Sequence, residues 1–315
     1  DPITTTDQLT SNGEYDSFVL KLAADGSFEW VKGFGNANSD DSPSMVLDSQ
    51  GNIFVIGSFS GTIDFDPDNP ATQHQVTSQS GSLDAFVLKL NTNGDVVWVK
   101  SFGGSSFDLI EYIVLDTQGN ILVTGFFSDT VDFNPDPAIT DNLQSNGNTD
   151  VYVLKLNSNG DFVWAKSYGN SGDENAPVIV LDTQDNVILT GSFSGTVDFN
   201  PDPNTQYLLT PVASDDAYIL KLNSTGNFVW AQSFGNAEFD GPPVTVLDPQ
   251  GNIHVSGQYR GTVDFDPDAA TQHELTSQSD SHDAYILKLA SDGSFVWVHS
   301  FGNASNDFGP NIILD

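Results

Sequence analysis

The sequence predicts an all-β fold, a β-propeller of four-stranded antiparallel blades. Three observations carry this expectation: one pattern recurs five times, each copy holds four short apolar runs bounded by turn residues, and no segment keeps a 3.6-residue apolar period. Trp30, Trp98, Trp164, Trp230 and Trp297 stand 68, 66, 66 and 67 residues apart, and Asp16, Asp84, Asp150, Asp216 and Asp283 keep the same spacings. Leu47, Leu115, Leu181, Leu247 and Leu314 do so too, each followed by Asp. The repeat units read as 1–65, 66–133, 134–199, 200–265 and 266–315 of a single domain, 1–315.

Within one unit the strands are expected at Ser44–Asp48, Asn52–Phe59, Asp84–Leu90 and Asp95–Phe102. Each is rich in Val, Ile, Phe, Leu or Trp and flanked by Gly, Asn, Asp or Ser. In the third run Phe86, Leu88 and Leu90 alternate with Ala85, Val87 and Lys89, so both faces are largely apolar, as in sheets covered on both sides. The first two strands join through Asp48-Ser49-Gln50-Gly51-Asn52 and the last two through Asn91-Thr92-Asn93-Gly94-Asp95, both hairpin-type turns. A meander of this size cannot close a core alone, and radial repetition is the propeller solution. The half running from VLKL to Leu-Asp occurs five times and the half from Gly-Asn to Asp-Phe only four. The reading favoured is part of a longer chain, one blade incomplete, with a five-bladed ring as the simplest closure.

Acidic residues number 43 and basic residues 9, for a net charge of −34. A nucleic-acid binder needs Lys and Arg for phosphates, so that class is excluded, and docking on an anionic membrane is disfavoured. Cysteine is absent, which removes disulfides, Cys zinc sites and thiol nucleophiles. No apolar run is long enough to span a bilayer, so no membrane insertion is expected. Asp1-Pro2-Ile3-Thr4 is no signal peptide, although a mature chain could have lost one. With 22 Phe and 5 Trp the chain buries a core and is no disordered acidic tail.

The run FGNANSDDSPSMVLDSQGNIFVIGSFSG resembles the bacterial β-propeller repeat family often labelled SBBP, whose units read Gly-rich start, Asp, Val-Asp, x-x-Gly-Asn, Val-Thr-Gly. The segment LNSTGNFVWAQ (Leu222–Gln232) is similar to the tryptophan-docking motif of quinoprotein-like propellers. Both resemblances imply a secreted or cell-surface bacterial propeller, and neither implies a ligand. Nothing matches the quinone-binding residues of quinoprotein dehydrogenases. The acidic DF-[DN]-PD loop departs from the plain repeat.

That loop directs the functional reading. It carries Asp64, Asp66 and Asp68; Asp132, Asn134 and Asp136; Asp198, Asn200 and Asp202; and Asp264, Asp266 and Asp268. A meander places the long loop, the crossover acids (Asp40, Asp108, Asp173, Asp240, Asp307) and the Asp84 class at one end of each blade. Twenty of the 43 acids are then expected on one strongly negative face. The basic residues sit mostly at the Lys89 and Lys100 positions, on strands. Asp, Asn and backbone oxygens at i, i+2 and i+4 suit calcium, which takes six to eight oxygens at about 2.3–2.6 Å. Only the first half of a calcium loop is present. The sixth position is Asn69, Pro137, Pro203 or Ala269, not Gly, and the twelfth is Gln75, Leu143, Leu209 or Leu275, not Glu. The competing reading is that these Asp side chains cap turns, as expected for Asp48 in Leu-Asp-x-x-Gly-Asn. The Trp residues are expected between blades, and the Lys89 class is expected to pair with Asp.

No three His share a ligand spacing. Gly57-Ser58-Phe59-Ser60-Gly61 has Phe where a nucleophile elbow needs Ser. Every acid class is repeated, whereas catalysis usually needs one singular site, so the expectation is a non-enzymatic extracellular or cell-surface protein, structural or adhesive, with calcium as its ion. The alternatives are a lectin-like binder of carbohydrate, a polysaccharide-active enzyme with a carboxylate pair, and a filament subunit joined to other copies of itself by strand addition.

Overall fold

The computed structural model describes residues 8–66, 74–172, 174–202, 204–212, 215–236, 243–268, 270–307, 309 and 311–314. Strand follows strand through nearly all of it, with helix confined among these residues to two 3-10 turns, Gln79–Gly81 and Gln278–Asp280. The first complete blade is Asp41–Leu47, Ile53–Phe59, Asp84–Leu90 and Val96–Phe102, hydrogen-bonded in that order and antiparallel throughout. The second is Leu109–Leu115, Ile121–Phe127, Asp150–Leu156 and Phe162–Tyr168. The third is Asn175–Leu181, Val187–Phe193, Asp216–Leu222 and Phe228–Phe234, and the fourth Val244–Leu247, Ile253–Tyr259, Asp283–Leu289 and Phe295–Phe301. A two-stranded half blade, Ser17–Leu22 with Phe28–Phe34, precedes them. The architecture is that of a β-propeller of about five blades.

The expected strands are all present. The first starts earlier than the sequence suggests, at Asp41 rather than Ser44. One element was not anticipated. Between the second and third strands of each complete blade lies a small extra ladder: Thr62–Asp64 with Gln75–Thr77, Thr130–Asp132 with Asn142–Gln144, Val197–Asp198 with Leu208–Leu209, and Thr262–Asp264 with Glu274–Thr276.

The core lies between blades. Ala85 and Val87 turn toward the second blade and join Ile121, Val123, Tyr152 and Leu154, while Phe86, Leu88 and Leu90 turn back to Val19 and Phe34 of the half blade. Period-2 alternation in one strand thus feeds two seams. The Phe of each DF-[DN]-PD run is also a core residue: Phe65, Phe133, Phe199 and Phe265 are buried. Each packs on an aromatic of its own third strand, at 4.8, 4.7, 4.9 and 4.8 Å from Phe86, Tyr152, Tyr218 and Tyr285. Each also meets the last aromatic of the preceding unit, Phe34, Phe102, Tyr168 or Phe234. Those four are at most 5% exposed; Phe301, the fifth copy, is 54% exposed.

Tryptophan closes the other end of each seam. Trp30, Trp98, Trp164 and Trp230 lie against Gly94, Gly160, Gly226 and Gly293 of the following unit, so close that a Cβ there would meet the ring at 2.9–3.2 Å. These glycines have positive φ in their turns as well. Gly26, the corresponding glycine of the half blade, has nothing within 4 Å.

Candidate functional site

The acidic loops are built from local side-chain to backbone bonds. Asp132 Oδ1 accepts from the amides of Asn134 (3.0 Å) and Asp141 (2.9 Å), Asn134 Oδ1 from Asp136 (3.0 Å), and Asp136 Oδ1 from Ala138 (3.0 Å). Asp198, Asn200 and Asp202 repeat the series, as do Asp264, Asp266 and Asp268. In the first blade Asp64 Oδ1 accepts from the Asp66 amide, while Asp68 lies outside the described residues. Turn capping therefore accounts for one oxygen of each of these described side chains, and in Asp266 the second oxygen is also engaged, by the Thr271 hydroxyl at 2.6 Å and His273 Nδ1 at 3.0 Å. The Asn204 amide holds Asp202 below the usual carboxylate range. Burial would raise Asp266, but the Thr271 hydroxyl and the Asp268 amide outweigh it and keep that carboxyl low.

The loops do not share a rim with the other acids, contrary to expectation. The extra ladder folds each loop back along the outside of its blade, toward the start of the fourth strand. His273 stacks on Phe295 at 4.1 Å, and Tyr207 lies 4.8 Å from Phe228. Each loop thereby faces the tight turn of its own blade. Asn134, Asp136 and Asp161 line a cavity of about 380 Å³ together with Lys100 of the preceding blade. Asp64 and Asp66 share one of about 430 Å³ with Lys32. In the fourth blade Asp266, Asp268 and Asp292 line a cavity of about 440 Å³, and Gln232 occupies the place of the lysine. A strand lysine can thus reach a neighbouring loop, which strand position alone did not reveal.

A second acidic set sits at the opposite end of the seams. At three crossovers the chain is hydrogen-bonded to the start of the preceding third strand: Asp40 N to Tyr15 O, Asp108 N to Leu83 O (2.8 Å) and Asp307 N to His282 O. This pairs the crossover acid with the third-strand acid. Asp84 and Asp108 are each 2% exposed. Asp84 Oδ2 accepts from the Gln79 amide at 2.9 Å, and Asp108 Oδ2 from the Gly104 amide at 2.6 Å. At the next seam the partner of Asp150 is Glu174, 66 residues after Asp108; Asp173, named from the sequence in its place, lies outside the described residues, as does Asp240. A Cβ on Gly169 would find Asp150 Oδ1 at 2.4 Å and Glu174 Oε2 at 2.6 Å, so both carboxylates converge on the bare glycine. Gly35, Gly103, Gly235 and Gly302 cradle Asp16, Asp84, Asp216 and Asp283 in the same way.

Burial dominates the electrostatics of this set. It pushes Asp84 and Asp216 up to about 6, against the opposing amides of Gln79 and Val212. It pushes Asp108 up to about 7, with the charges of Asp84 and Asp129 adding to the rise. Asp40 is raised by burial and by Asp16, and Asp150 by burial. Asp129, at φ 60°, stands where the other blades have Gly61, Gly195 and Gly261.

The third set lies at the tight turns and behaves as read. Asp116 Oδ1 accepts from the amides of Gln118 (2.9 Å) and Asn120 (2.8 Å). Lys155 closes on Asp116 at 2.9 Å, Lys221 on Asp182 at 3.1 Å and Lys288 on Asp248 at 2.9 Å. Burial works against these carboxylates, yet turn donors and lysine keep Asp116 and Asp182 low. The lysines also span the seam: Lys21, Lys89, Lys155 and Lys221 donate to the carbonyls of Thr92, Ser158, Ser224 and Ser291 in the following unit. Among the described residues no three His, Asp or Glu side chains form a ready metal cluster. An ion here would draw further ligands from backbone oxygens and water.

No family model matches the chain. It is 22% identical over 241 residues to an uncharacterized WD repeat-containing protein of Acanthamoeba polyphaga mimivirus, across 69% of this chain and 17% of that protein. It is 23% identical over 184 residues to the regulatory protein FlaEY of Caulobacter vibrioides, across 54% of this chain and 17% of that protein. The chain thus spans 17% of the length of each of these two curated relatives. No helix among the described residues is long and apolar enough to cross a membrane. The similarities and the repeated four-stranded sheets together support a propeller-like repeat.

Proposed function

We propose that this chain is a non-enzymatic propeller module of an extracellular or cell-surface protein, structural or adhesive in role, with calcium bound at its acidic loops. The supporting observation is repetition: each complete blade carries the same loop sequence, and among the described residues no singular constellation of His, Asp and Glu stands apart. The resemblance to SBBP-type repeats adds the surface location. In the fourth blade Asp266, Asp268 and Asp292 share a cavity with Gln232 in place of the lysine, and an ion there would compete with His273 and Thr271 for Asp266 Oδ2. Calcium there would relieve repulsion that amounts to about 1 kcal/mol for two carboxylates 4 Å apart in water.

Thermal melts with calcium and with chelator test the reading. Calcium should raise the midpoint, and Asp266→Asn with Asp268→Asn should remove part of the rise. Equal midpoints with and without chelator, in unmodified protein freed of metal beforehand, would sink it.

A further inference from the structure

The seam acids pose a separate question, independent of the loops. Both carboxylates are buried at the Asp84–Asp108 and Asp150–Glu174 pairs, and Asp40 and Asp283 are buried at theirs; among the described residues the lysine pairs lie with the tight-turn acids or with Glu29. One oxygen of each caps a loop. The other is frequently left without any hydrogen-bond partner although buried: Oδ1 of Asp40, Asp150, Asp216 and Asp283. Asp150 is fully buried, and its bare Oδ1 is aimed at Glu174 across Gly169. A buried, unpaired anionic oxygen is costly, and the cost grows when a second carboxylate faces it. Turn capping explains the bonded oxygens alone. It gives no reason for the bare ones, nor for glycine at the five positions that admit the carboxylates.

We propose that the seams between blades are divalent cation sites, each holding one calcium between the third-strand carboxylate and the crossover carboxylate. The pairs are Asp16 with Asp40, Asp84 with Asp108, Asp150 with Glu174, and Asp283 with Asp307. Calcium suits them because it accepts oxygen ligands alone, in irregular geometry and variable number. Carboxylates with one oxygen fixed by a backbone amide present the other in a set direction, which lowers the ordering cost of binding. Since one ligand comes from each of two consecutive blades, the ion would act as a rivet across the seam. Asp129 adds negative charge beside Asp108, but Asp84 Oδ1 and Asp108 Oδ1 already accept from the Ser82 hydroxyl and the Ser128 amide, so the seam of Asp150, whose Oδ1 is bare, is the tighter site.

The test is calcium stoichiometry of the whole chain by equilibrium dialysis at neutral pH. Unmodified protein is compared with two single-seam variants, Asp84→Asn with Asp108→Asn and Asp150→Asn with Glu174→Gln, and with the loop variant Asp266→Asn with Asp268→Asn. Each seam variant should bind one calcium fewer, whatever the loop variant does. Unchanged stoichiometry in folded seam variants overturns the proposal, and the pairs then share a proton. Terbium in place of calcium gives a readout that needs no variant. Luminescence decay in H2O against D2O counts the waters on the bound ion, few at a buried seam and many at an exposed loop. A bound population consisting only of heavily hydrated ions overturns the seams and leaves the loops standing.

Discussion

At Gly103 a hydrogen atom stands where any other residue would carry carbon, and the Asp84 carboxyl fills the space. A Cβ there would lie 2.2–2.5 Å from the Asp84 carboxyl atoms. Gly103→Ala should therefore cost about 1–3 kcal/mol, the range for overpacking a filled interior. Urea denaturation followed by tryptophan fluorescence measures it; an unchanged midpoint would mean the carboxyl moves aside freely. The sequence displayed this glycine after the last aromatic of every unit, yet its reason is invisible there, because the carboxylate it admits lies 19 positions earlier. The tight-turn acids were legible for the opposite cause: Asp48 and its copies act on amides two and four residues away. Glu174 stands at the repeat register, 66 residues after Asp108, and was missed because Asp173 supplies the repeated residue type, Asp, one position earlier.

At the scale of elements, apolar runs of seven residues announce the main strands plainly, and the two hairpin turns of each blade follow from Gly and Asn. The small ladders do not announce themselves. Thr62–Asp64 and Gln75–Thr77 are three residues each, too short for alternation to show, and they lie in a polar stretch. Missing them misplaced the acidic loops, since an unstructured loop would have stayed at the end where it began. The Phe inside each loop was the available clue: an aromatic fixed between acids marks an anchor in a core. Tryptophan, by contrast, was readable as seam packing. Trp164 is 8% exposed and lies between the second and third blades. Trp164→Ala should cost about 3–5 kcal/mol as a large-to-small change in a seam. Chemical denaturation checks it, and a loss below 1 kcal/mol would show that the blades cohere without the ring.

At the scale of the whole molecule the seam acids and the tight-turn acids titrate in separate windows. Asp84, Asp108 and Asp216 have folded values of about 6, 7 and 6, above the 3.8 of an ordinary Asp. The folded state therefore binds more protons between pH 4 and 7, and stability falls as pH rises through that interval. The slope is at most about 1.4 kcal/mol per pH unit for each group. Asp48, Asp116, Asp182 and Asp248 have lowered values. Their contribution is complete above pH 4 and is lost below it, so the two effects do not overlap. Calcium-free protein should melt highest near pH 4–5 and lower at pH 7.5; a melting point that climbs steadily to pH 7.5 would contradict the burial of the seam acids.

The lysine and tryptophan contacts between units have a consequence of their own. Lys21, Lys89, Lys155 and Lys221 all reach forward along the chain, and so do the four indoles. The array consequently has polarity: its leading and trailing surfaces are different objects, plug and socket. Two such bodies cannot meet through this chemistry about a two-fold axis, for that would set plug against plug. Any association that reused it would run nose to tail, in the same sense as the units within one chain.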